Sequence, residues 1–247
     1  MIEAKNISKQ FGDRLVLKDV SVKFERGVTN LIIGQSGSGK TVLMKCIAGL
    51  FNIDEGEIYF DERPVTALSF PEKKNLRKEF GMLFQGGALF DFMTVEENVM
   101  FPLTMNTEMT HEEKSDRVNF CLNRVKLENV NHLHPSELSG GMIKRVAIAR
   151  AISLNPKYLF CDEPNSGLDP ITACVIDNLI SEITKEYQIT TIINTHDMNS
   201  VMEIGDKIAF IYQGELWWEG DKNQILGTVN KELNEFVFAT ELTRRLK

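Results

Sequence analysis

The stretch that decides the fold lies near the start of the chain, where residues 28–50 read VTNLIIGQSGSGKTVLMKCIAGL. Val28 to Ile33 is a short, mostly apolar run, which is typical of a buried β-strand. Gly34–Thr41 then matches the pattern G-x-x-x-x-G-K-[ST]. Thr41–Leu50 continues with apolar residues at helical spacing. The sequence therefore predicts a buried strand, a glycine-rich turn and a helix in immediate succession.

This turn is a predicted phosphate-binding site. Glycines let successive backbone N–H groups curl around phosphate oxygens, and the helix N-terminus adds donors and the positive end of its dipole. In this pattern Lys40 reaches the β- and γ-phosphates, and the Thr41 hydroxyl binds Mg²⁺. The alternative is a Gly/Ser surface loop that fits by chance, which the strand–helix setting disfavours. The predicted nucleotide-binding residues here are Gly34, Gln35, Ser36, Gly37, Ser38, Gly39, Lys40, Thr41 and Val42.

A second apolar run, Tyr158–Cys161, ends in Asp162 and Glu163. A buried strand that ends in a carboxylate delivers that charge to the edge of the sheet where α/β proteins bind ligands. Asp162 is the predicted Mg²⁺ ligand, and Glu163 is the predicted general base that polarises the attacking water. Two solvated acids at the end of a strand would be an ordinary alternative, which the phosphate-binding pattern makes less favourable.

The rest of the chain alternates between strand and helix patterns. Val20, Val22 and Phe24 alternate with polar residues, as in a half-buried strand. Thr110 to Glu113 has the form of a capping box that starts a helix. Further predicted elements are helices at about 140–154 and over Ile171–Ile183, a strand at Thr190–Ile193, and a hairpin with its turn at Gly214-Glu215.

Length and composition exclude several classes of protein. The chain has 247 residues, a formal charge of −7, and four cysteines without a CxxC pair. Net negative charge disfavours binding to DNA or to anionic lipid by charge alone, and the cysteines are expected to be reduced thiols. No apolar stretch approaches the roughly 18 residues that span a bilayer, and the start lacks the plan of a signal peptide. We therefore expect no nucleic-acid partner and no zinc-ribbon site.

Further motifs give the chain a family resemblance. Residues 135–142, PSELSGGM, resemble the signature motif of the ATP-binding cassette (ABC) ATPases. Gln85 resembles the Q-loop glutamine of that family, Ser166–Asp169 its D-loop, and His196 its switch histidine. Phe11 resembles the aromatic residue that stacks on adenine. Taken alone, Phe11 would be interpreted as a core residue and His196 as a polar loop residue, so it is their order along the chain that identifies them.

The resemblance implies an α/β fold. It has a P-loop NTPase (RecA-like) core, an N-terminal antiparallel β-subdomain and an inserted α-helical subdomain. Together with the pattern of elements, it predicts a single ABC ATPase domain over 1–247. The predicted parts are a catalytic core at 1–85 and 155–229, a helical subdomain with the signature motif at 86–154, and a C-terminal helix at 230–247.

The resemblance also implies a homodimer that binds ATP and Mg²⁺ in two sandwiched sites. Each site combines the glycine-rich turn of one copy with the signature residues Ser139, Gly140 and Gly141 of the other. ATP closes this dimer because it contacts both copies only in the closed state. Asp169 belongs to the implied nucleotide contacts. Gln85 is an implied Mg²⁺ ligand, and with Glu163 and His196 it completes the implied catalytic set.

Residues 83–90, LFQGGALF, indicate a branch of the family. Together with the signature, which ends in Met142, they resemble the ATPase of Mla-type (MCE-associated) phospholipid transport systems. That resemblance implies a peripheral protein at the cytoplasmic face of the inner membrane, driving a permease that docks near Gln85–Phe90. An MCE substrate-binding protein and a small accessory subunit are possible further members of the complex. The implied task is phospholipid movement that maintains outer-membrane asymmetry.

Two other functions are compatible with the motifs. One is a soluble, non-transport ABC ATPase such as an iron–sulfur assembly factor, and the other is a motor for a different transported substrate. The segment after Gln85 distinguishes them, because only a transporter needs a permease groove there.

Lys144, Arg145 and Arg150 share the signature helix, and we interpret such basic clusters as solvated or as compensating the helix dipole. Met142 departs from the usual signature glutamine, and Gly167 from a common D-loop alanine.

Overall fold

A computed structural model describes residues 1–238 of the chain. The chain divides into two compact units, one formed by residues 1–69 with the chain from residue 190 onward, the other by residues 70–189. The strands are β1 (Ile2–Phe11), β2 (Arg14–Phe24), β3 (Thr29–Ile33), β4 (Glu55–Phe60), β5 (Arg63–Pro64), β6 (Phe80–Leu83), β7 (Tyr158–Asp162), β8 (Thr190–Asn194), β9 (Lys207–Tyr212) and β10 (Glu215–Gly220). The helices are α1 (Lys40–Ile47), α2 (Phe70–Lys78), α3 (Val95–Asn106), α4 (His111–Arg124), α5 (Gly140–Ile152), α6 (Pro170–Tyr187), α7 (Met198–Ile204), α8 (Lys222–Leu226) and α9 (Lys231–Val237).

The first unit contains an antiparallel sheet in the order β2-β1-β4-β5. Val20, Val22 and Phe24 of β2 are buried, whereas the residues between them are exposed. Their alternation confirms the predicted half-buried strand, because successive side chains of a strand point to opposite faces.

The same unit contains parallel strands around β3. β8 and β9 both pair with β3 in parallel, and β10 pairs with β9 in antiparallel register. All residues of β3 and of β8 are buried, as predicted from their apolar runs. A strand covered on both faces needs such a run rather than an alternating pattern.

The predicted hairpin is present, but its turn is one residue earlier than expected. Tyr212 pairs with Glu215, so Gln213 and Gly214 form the two-residue loop. Both have positive φ, 49° and 85°. A turn of this kind needs positive φ at both central residues because its twist must match that of the strands. Glu215 therefore belongs to β10 and not to the turn.

The unit of residues 70–189 combines two parallel strands with helices. β6 pairs with β7, and α3, α4 and α5 pack on one another. The predicted capping box is confirmed: Thr110 N donates to Glu113 Oε2 at 2.7 Å, and Glu113 N donates to Thr110 Oγ1 at 3.3 Å. Thr94 and Glu97 form a second capping box at the start of α3, which the sequence analysis missed although the T-x-x-E pattern was available.

The helix predicted over Ile171–Ile183 is present as α6, although the apolar residues that mark it do not all face the core. Ile171 and Val175 are exposed by 79% and 47%, whereas Ile176 and Ile180 are fully buried. A run with a step of four residues drifts by roughly 40° per step around a helix of 3.6 residues per turn. Residues placed four apart from Ile171 to Ile183 therefore do not share one face, and those at the N-terminal end of the helix point away from the core.

The predicted subdomain bounds differ from those of the two units. The helical subdomain, predicted at 86–154, lies within the unit of residues 70–189, which also contains β6, β7 and α6. These subdomain bounds remain a prediction. The predicted C-terminal helix at 230–247 begins as α9, and residues 239–247 lie outside the described part of the chain.

Candidate functional site

The glycine-rich turn Gly34–Thr41 joins β3 to α1, as the sequence predicts. Gly34, Gly37 and Gly39 have φ values of 149°, 79° and 109°. A Cβ added at Gly34 would lie 2.3 Å from the carbonyl oxygen of Ile211, so neither the backbone angle nor the space admits a side chain. Gly39 is the N-cap of α1 and leaves the first N–H groups of the helix without a side-chain cap. The turn thus presents backbone donors of the kind that bind phosphate.

Lys40 and Ser38 are buried within this turn. Lys40 is 7% exposed, and its Nζ donates to the carbonyl oxygens of Gly34 at 2.8 Å and Gln35 at 3.0 Å. The buried hydroxyl of Ser38 makes no hydrogen bond within the described residues. A buried hydroxyl without a partner is costly unless a ligand satisfies it. Its position therefore fits the binding of a phosphate oxygen.

The other residues predicted for the turn lie at its rim or at the start of the helix. Gln35 and Ser36 are exposed in the turn, and Thr41 and Val42 are half-buried in the first turn of α1. Their exposure leaves them accessible to a nucleotide, and their contacts with it remain a prediction.

Phe11 and His196 lie in the same unit as the glycine-rich turn. Phe11 ends β1, is 44% exposed, and packs edge-on against Phe51 with ring centroids 5.4 Å apart. It is therefore not a core residue. His196 is exposed and follows β8, one residue before the N-cap of α7, Asp197. Both residues are therefore exposed to some extent, and their contacts with a nucleotide remain predictions.

Asp162 and Glu163 lie at the end of β7 in the other unit. Asp162 is 8% exposed and is the last residue of the strand. Glu163 has a φ of 50°, in the left-handed region that side chains other than glycine seldom adopt. Its carbonyl accepts from Ser166 N at 3.2 Å, which closes a tight turn after the strand. Backbone strain of this kind clusters at functional sites, so it supports the prediction for Glu163.

Gln85 follows β6 in the same unit as Glu163. Its Nε2 donates to the hydroxyl of Ser166 at 3.3 Å, and its carbonyl oxygen accepts from Nζ of Lys144. The structure therefore brings the predicted Q-loop glutamine against the predicted D-loop. It also contradicts the interpretation of Lys144 as a solvated cation, because Lys144 is only 5% exposed.

Arg150 lies in the last turn of α5, where its charge can compensate the helix dipole as predicted, and it also has specific hydrogen-bond partners. Its guanidinium donates to the carbonyl oxygens of Gly87 at 2.7 Å and Ala88 at 2.6 Å. Burial lowers the pKa of Arg150 below its ordinary value. The sequence signal for Lys144 and Arg150 was their setting in α5, GGMIKRVAIARAI, a mostly apolar helix in which Arg145 is the one other charged residue.

The signature residues lie at the start of α5. Ser139 is the N-cap, and its Oγ accepts from Met142 N at 3.3 Å. A Cβ added at Gly141 would lie 2.6 Å from Thr172 Cγ2, so glycine is needed for α5 to approach α6. Gly140 has more room, with Leu168 Cδ2 at 3.4 Å from an added Cβ. The predicted helix N-terminus is therefore present, and its binding of phosphate remains a prediction.

Asp169 serves as the N-cap of α6. Its carboxylate accepts from Thr172 Oγ1 at 2.5 Å, Thr172 N at 3.0 Å and Ile171 N at 3.1 Å. These hydrogen bonds, chiefly those from Thr172, lower the pKa of Asp169. The structure gives this residue a capping role, and its contact with nucleotide remains a prediction.

The predicted Mg²⁺ ligands have suitable chemistry. Thr41, Gln85 and Asp162 offer a hydroxyl, an amide and a carboxylate oxygen, which are the hard donors that Mg²⁺ prefers. Thr41 lies in one unit and the other two in the second. Within residues 1–238, no group of three or more His, Cys, Asp or Glu side chains is arranged to hold a metal ion.

Over the same residues, no helix has both the length and the apolar character needed to span a membrane.

Comparison with known sequences places the chain among transport ATPases. The model of the ABC transporter family matches residues 17–166. The methionine import ATP-binding protein MetN of Campylobacter jejuni is 39% identical, over 96% of this chain and 75% of its own length. The intermembrane phospholipid transport system ATP-binding protein MlaF of Haemophilus influenzae is 37% identical, over 96% of this chain and 90% of its own length. The two relatives are similarly close, so sequence identity alone does not select a substrate.

Solved structures show the same fold. MJ0796, a bacterial ABC transporter cassette solved as a dimer, is 33% identical with a TM-score of 0.82, over 90% of this chain and 99% of its own. A post-hydrolysis dimer of that cassette with ADP and Pi is 34% identical with a TM-score of 0.80, over the same shares of the two chains. These matches confirm the predicted α/β P-loop NTPase fold with its antiparallel sheet and helical parts. The chain belongs to the ABC transporter family, as an ATP-binding subunit that hydrolyses ATP to drive transport.

Proposed function

We propose that the transported substrate is phospholipid, moved between membranes to maintain the asymmetry of the outer membrane. The observation that carries this proposal is the LFQGGALF stretch at 83–90 together with the signature that ends in Met142. It is supported by the identity of 37% with MlaF, which extends over 90% of that relative. In this role the chain is peripheral at the cytoplasmic face of the inner membrane. A permease, an MCE protein and a small accessory subunit are its proposed partners.

The proposed nucleotide site belongs to a homodimer. The glycine-rich turn of one copy binds the phosphates through its backbone N–H groups and Lys40, and Phe11 stacks on the base. The N-terminus of α5 in the other copy, at Ser139 to Gly141, donates to the γ-phosphate. Thr41, Asp162 and Gln85 would hold Mg²⁺, which would neutralise charge on the phosphates.

Hydrolysis is proposed to depend on Glu163 and His196. Glu163 accepts a proton from the attacking water, and it follows the last residue of β7 with a left-handed backbone of φ 50°. His196 donates to the γ-phosphate and holds the water in place. Loss of the γ-phosphate removes a contact that both copies share, so the dimer relaxes.

The proposed docking site for the permease is an aromatic ledge formed by Phe90, Phe92 and Phe101. The ring of Phe90 lies 5.0 Å from that of Phe101 and 5.7 Å from that of Phe92. Asn98 fixes the backbone of Phe90 through bonds of 2.8 and 3.1 Å. Phe92 is 76% exposed, which leaves its ring available to a partner helix.

Import of methionine is the second candidate, and the identity of 39% with MetN favours it. The two functions share the ATPase cycle and differ in the permease and its cargo. Purification of tagged protein from detergent-solubilised membranes separates them. A multi-span protein with an MCE protein and bound phospholipid supports the first candidate. Methionine-dependent stimulation of ATP hydrolysis in the purified complex would overturn it.

The docking site has its own test. Phe92→Ser should abolish co-purification of the membrane partner, because it removes the exposed apolar surface of the ledge. Phe120→Ser is the matched control, since Phe120 is also exposed, by 47%, but lies on α4. Equal loss of the partner with both variants would contradict docking at the ledge.

Glu163→Gln tests the catalytic base. The amide cannot accept the proton, so ATP hydrolysis should fall by at least about 10²-fold. Binding of ATP should remain, and the dimer should accumulate in its closed form on size exclusion in the presence of ATP. Hydrolysis at the parental rate would remove Glu163 from this role.

A further inference from the structure

Lys144 is a buried cation that the proposed reaction does not use. It lies on α5, five residues after the N-cap Ser139, and only 5% of its surface is exposed. A buried ammonium loses its hydration and is stable only where acceptors or negative charge replace the water. What surrounds Lys144 therefore indicates what it does.

The first neighbour of Lys144 is the backbone of the Q-loop. Its Nζ donates to the carbonyl oxygen of Gln85, across a sequence separation of 59 residues. The side-chain amide of the same glutamine donates to Ser166, so Gln85 is held at both its backbone and its side chain. Displacement of Lys144 would therefore change the position of Gln85.

The charge of Glu163 also acts on Lys144. Burial lowers the pKa of Lys144, and the charges of Glu163 and Cys161 oppose that shift. Cys161 is fully buried in β7, and burial raises its own pKa, so it stays a neutral thiol at neutral pH. Glu163 is thus the acidic side chain whose charge acts on Lys144.

We propose that Lys144 is a positioning residue for ATP hydrolysis, which holds Gln85 through its backbone and the Glu163 carboxylate through its charge. α5 begins at the signature residues, so one helix carries both the donors for γ-phosphate and the cation that orders the hydrolytic side chains. This inference rests on the proposed role of Glu163, and it is independent of the transported substrate.

The first experiment measures ATP hydrolysis by the purified full chain with Lys144→Met, Lys144→Gln and Lys144→Arg. Met and Gln should lower kcat about tenfold or more, while the KM for ATP changes less than about threefold, because misplacement of catalytic groups affects the chemical step. Arg keeps the charge and should retain more activity than either. Lys157→Met is the matched control, since Lys157 is a surface lysine paired with Glu79 at 3.2 Å. Parental kcat with Lys144→Gln would overturn the role of the charge.

The second experiment does not use activity. The thermal unfolding midpoint of the nucleotide-free chain is measured for Lys144→Gln, Glu163→Gln and the double variant. If the two side chains interact, Lys144→Gln should lower the midpoint by about 2–4 °C in the parental chain and by less when Glu163→Gln is present. Equal shifts in both backgrounds would overturn the proposed contact. ATP hydrolysis by Glu163→Gln alone tests the role of Glu163 as the base. Failure of that proposal can therefore be distinguished from failure of the proposal for Lys144.

Discussion

The glycine-rich turn Gly34–Thr41 and the Q-loop segment Gln85–Phe90 are both held in a defined conformation, but by different contacts. Each follows a strand, contains at least one glycine with positive φ, and is proposed to bind a partner. The turn is held from within, since Lys40 donates to Gly34 and Gln35 of its own loop. The Q-loop segment is held by α5, because Lys144 and Arg150 donate to its carbonyls across 59 to 63 residues of sequence.

This difference in support predicts which property of the protein a mutation in each region will change. A turn whose conformation is set by its own glycines is preformed for phosphate, so changes there should affect nucleotide binding first. A segment anchored to a helix follows that helix when it moves. We therefore expect mutations in the Q-loop segment to affect the stability of the chain and its coupling to the membrane partner more than nucleotide binding.

The largest expected effect is that of Gly34→Ala in the glycine-rich turn. The added Cβ would meet the Ile211 carbonyl oxygen at 2.3 Å. We expect the free energy of unfolding to fall by about 3 kcal/mol and measurable binding of a fluorescent ATP analogue to disappear. Gly86→Ala is the control in the other region, because an added Cβ at Gly86 meets no described atom within 4 Å. Unchanged nucleotide binding by Gly34→Ala would contradict the requirement for glycine at this position of the turn.

Lys40→Met should have the next largest effect. Loss of the ammonium removes charge-assisted contacts with phosphate, so ATP affinity should fall by about 10- to 100-fold, measured by equilibrium titration. Lys45→Met, on the same helix, lies near the ring of Phe51 at 5.6 Å and should leave the affinity within about twofold. If both lysine variants bound ATP equally well, Lys40 would not be part of the site.

Arg150→Met should weaken the anchoring of the Q-loop segment. It leaves the Gly87 and Ala88 carbonyls without their charged donor, so the free energy of unfolding should fall by about 2 kcal/mol in urea titrations. Arg150→Lys should lose less stability than Arg150→Met but should not match the parent, because an ammonium cannot reproduce the two hydrogen bonds of the planar guanidinium. Arg145→Met is the control on the same helix, where the guanidinium donates to Lys126 O at 3.2 Å. Equal losses from Arg145→Met and Arg150→Met would remove the special role of Arg150.

The smallest expected effect is that of Gly87→Ala. Gly87 has a φ of 78°, and an added Cβ would lie 3.0 Å from Ile143 Cγ2, a side-chain atom that can move. We expect a loss of about 1 kcal/mol in the free energy of unfolding, and no change in ATP affinity. A larger loss than with Gly34→Ala would reverse the comparison between the two regions.

Local patterns predicted much of the fold correctly. The runs that became β3 and β8, the capping box at Thr110 and the helix that begins at the signature motif are all present. The errors share one cause. The hairpin turn moved to Gln213-Gly214, and Ile171 faces outward, because register and face depend on what packs against the element.

The sequence by itself determined the glycine-rich turn and the order of the family motifs. Glycine, lysine and threonine at those spacings specify a backbone shape and its donors with little help from the rest of the chain. Only the tertiary structure decided that the buried Lys144 and the half-buried Arg150 hold the Q-loop segment. A cation on a helix is solvated or buried according to what packs on that helix, and that information lies about sixty residues away in the chain.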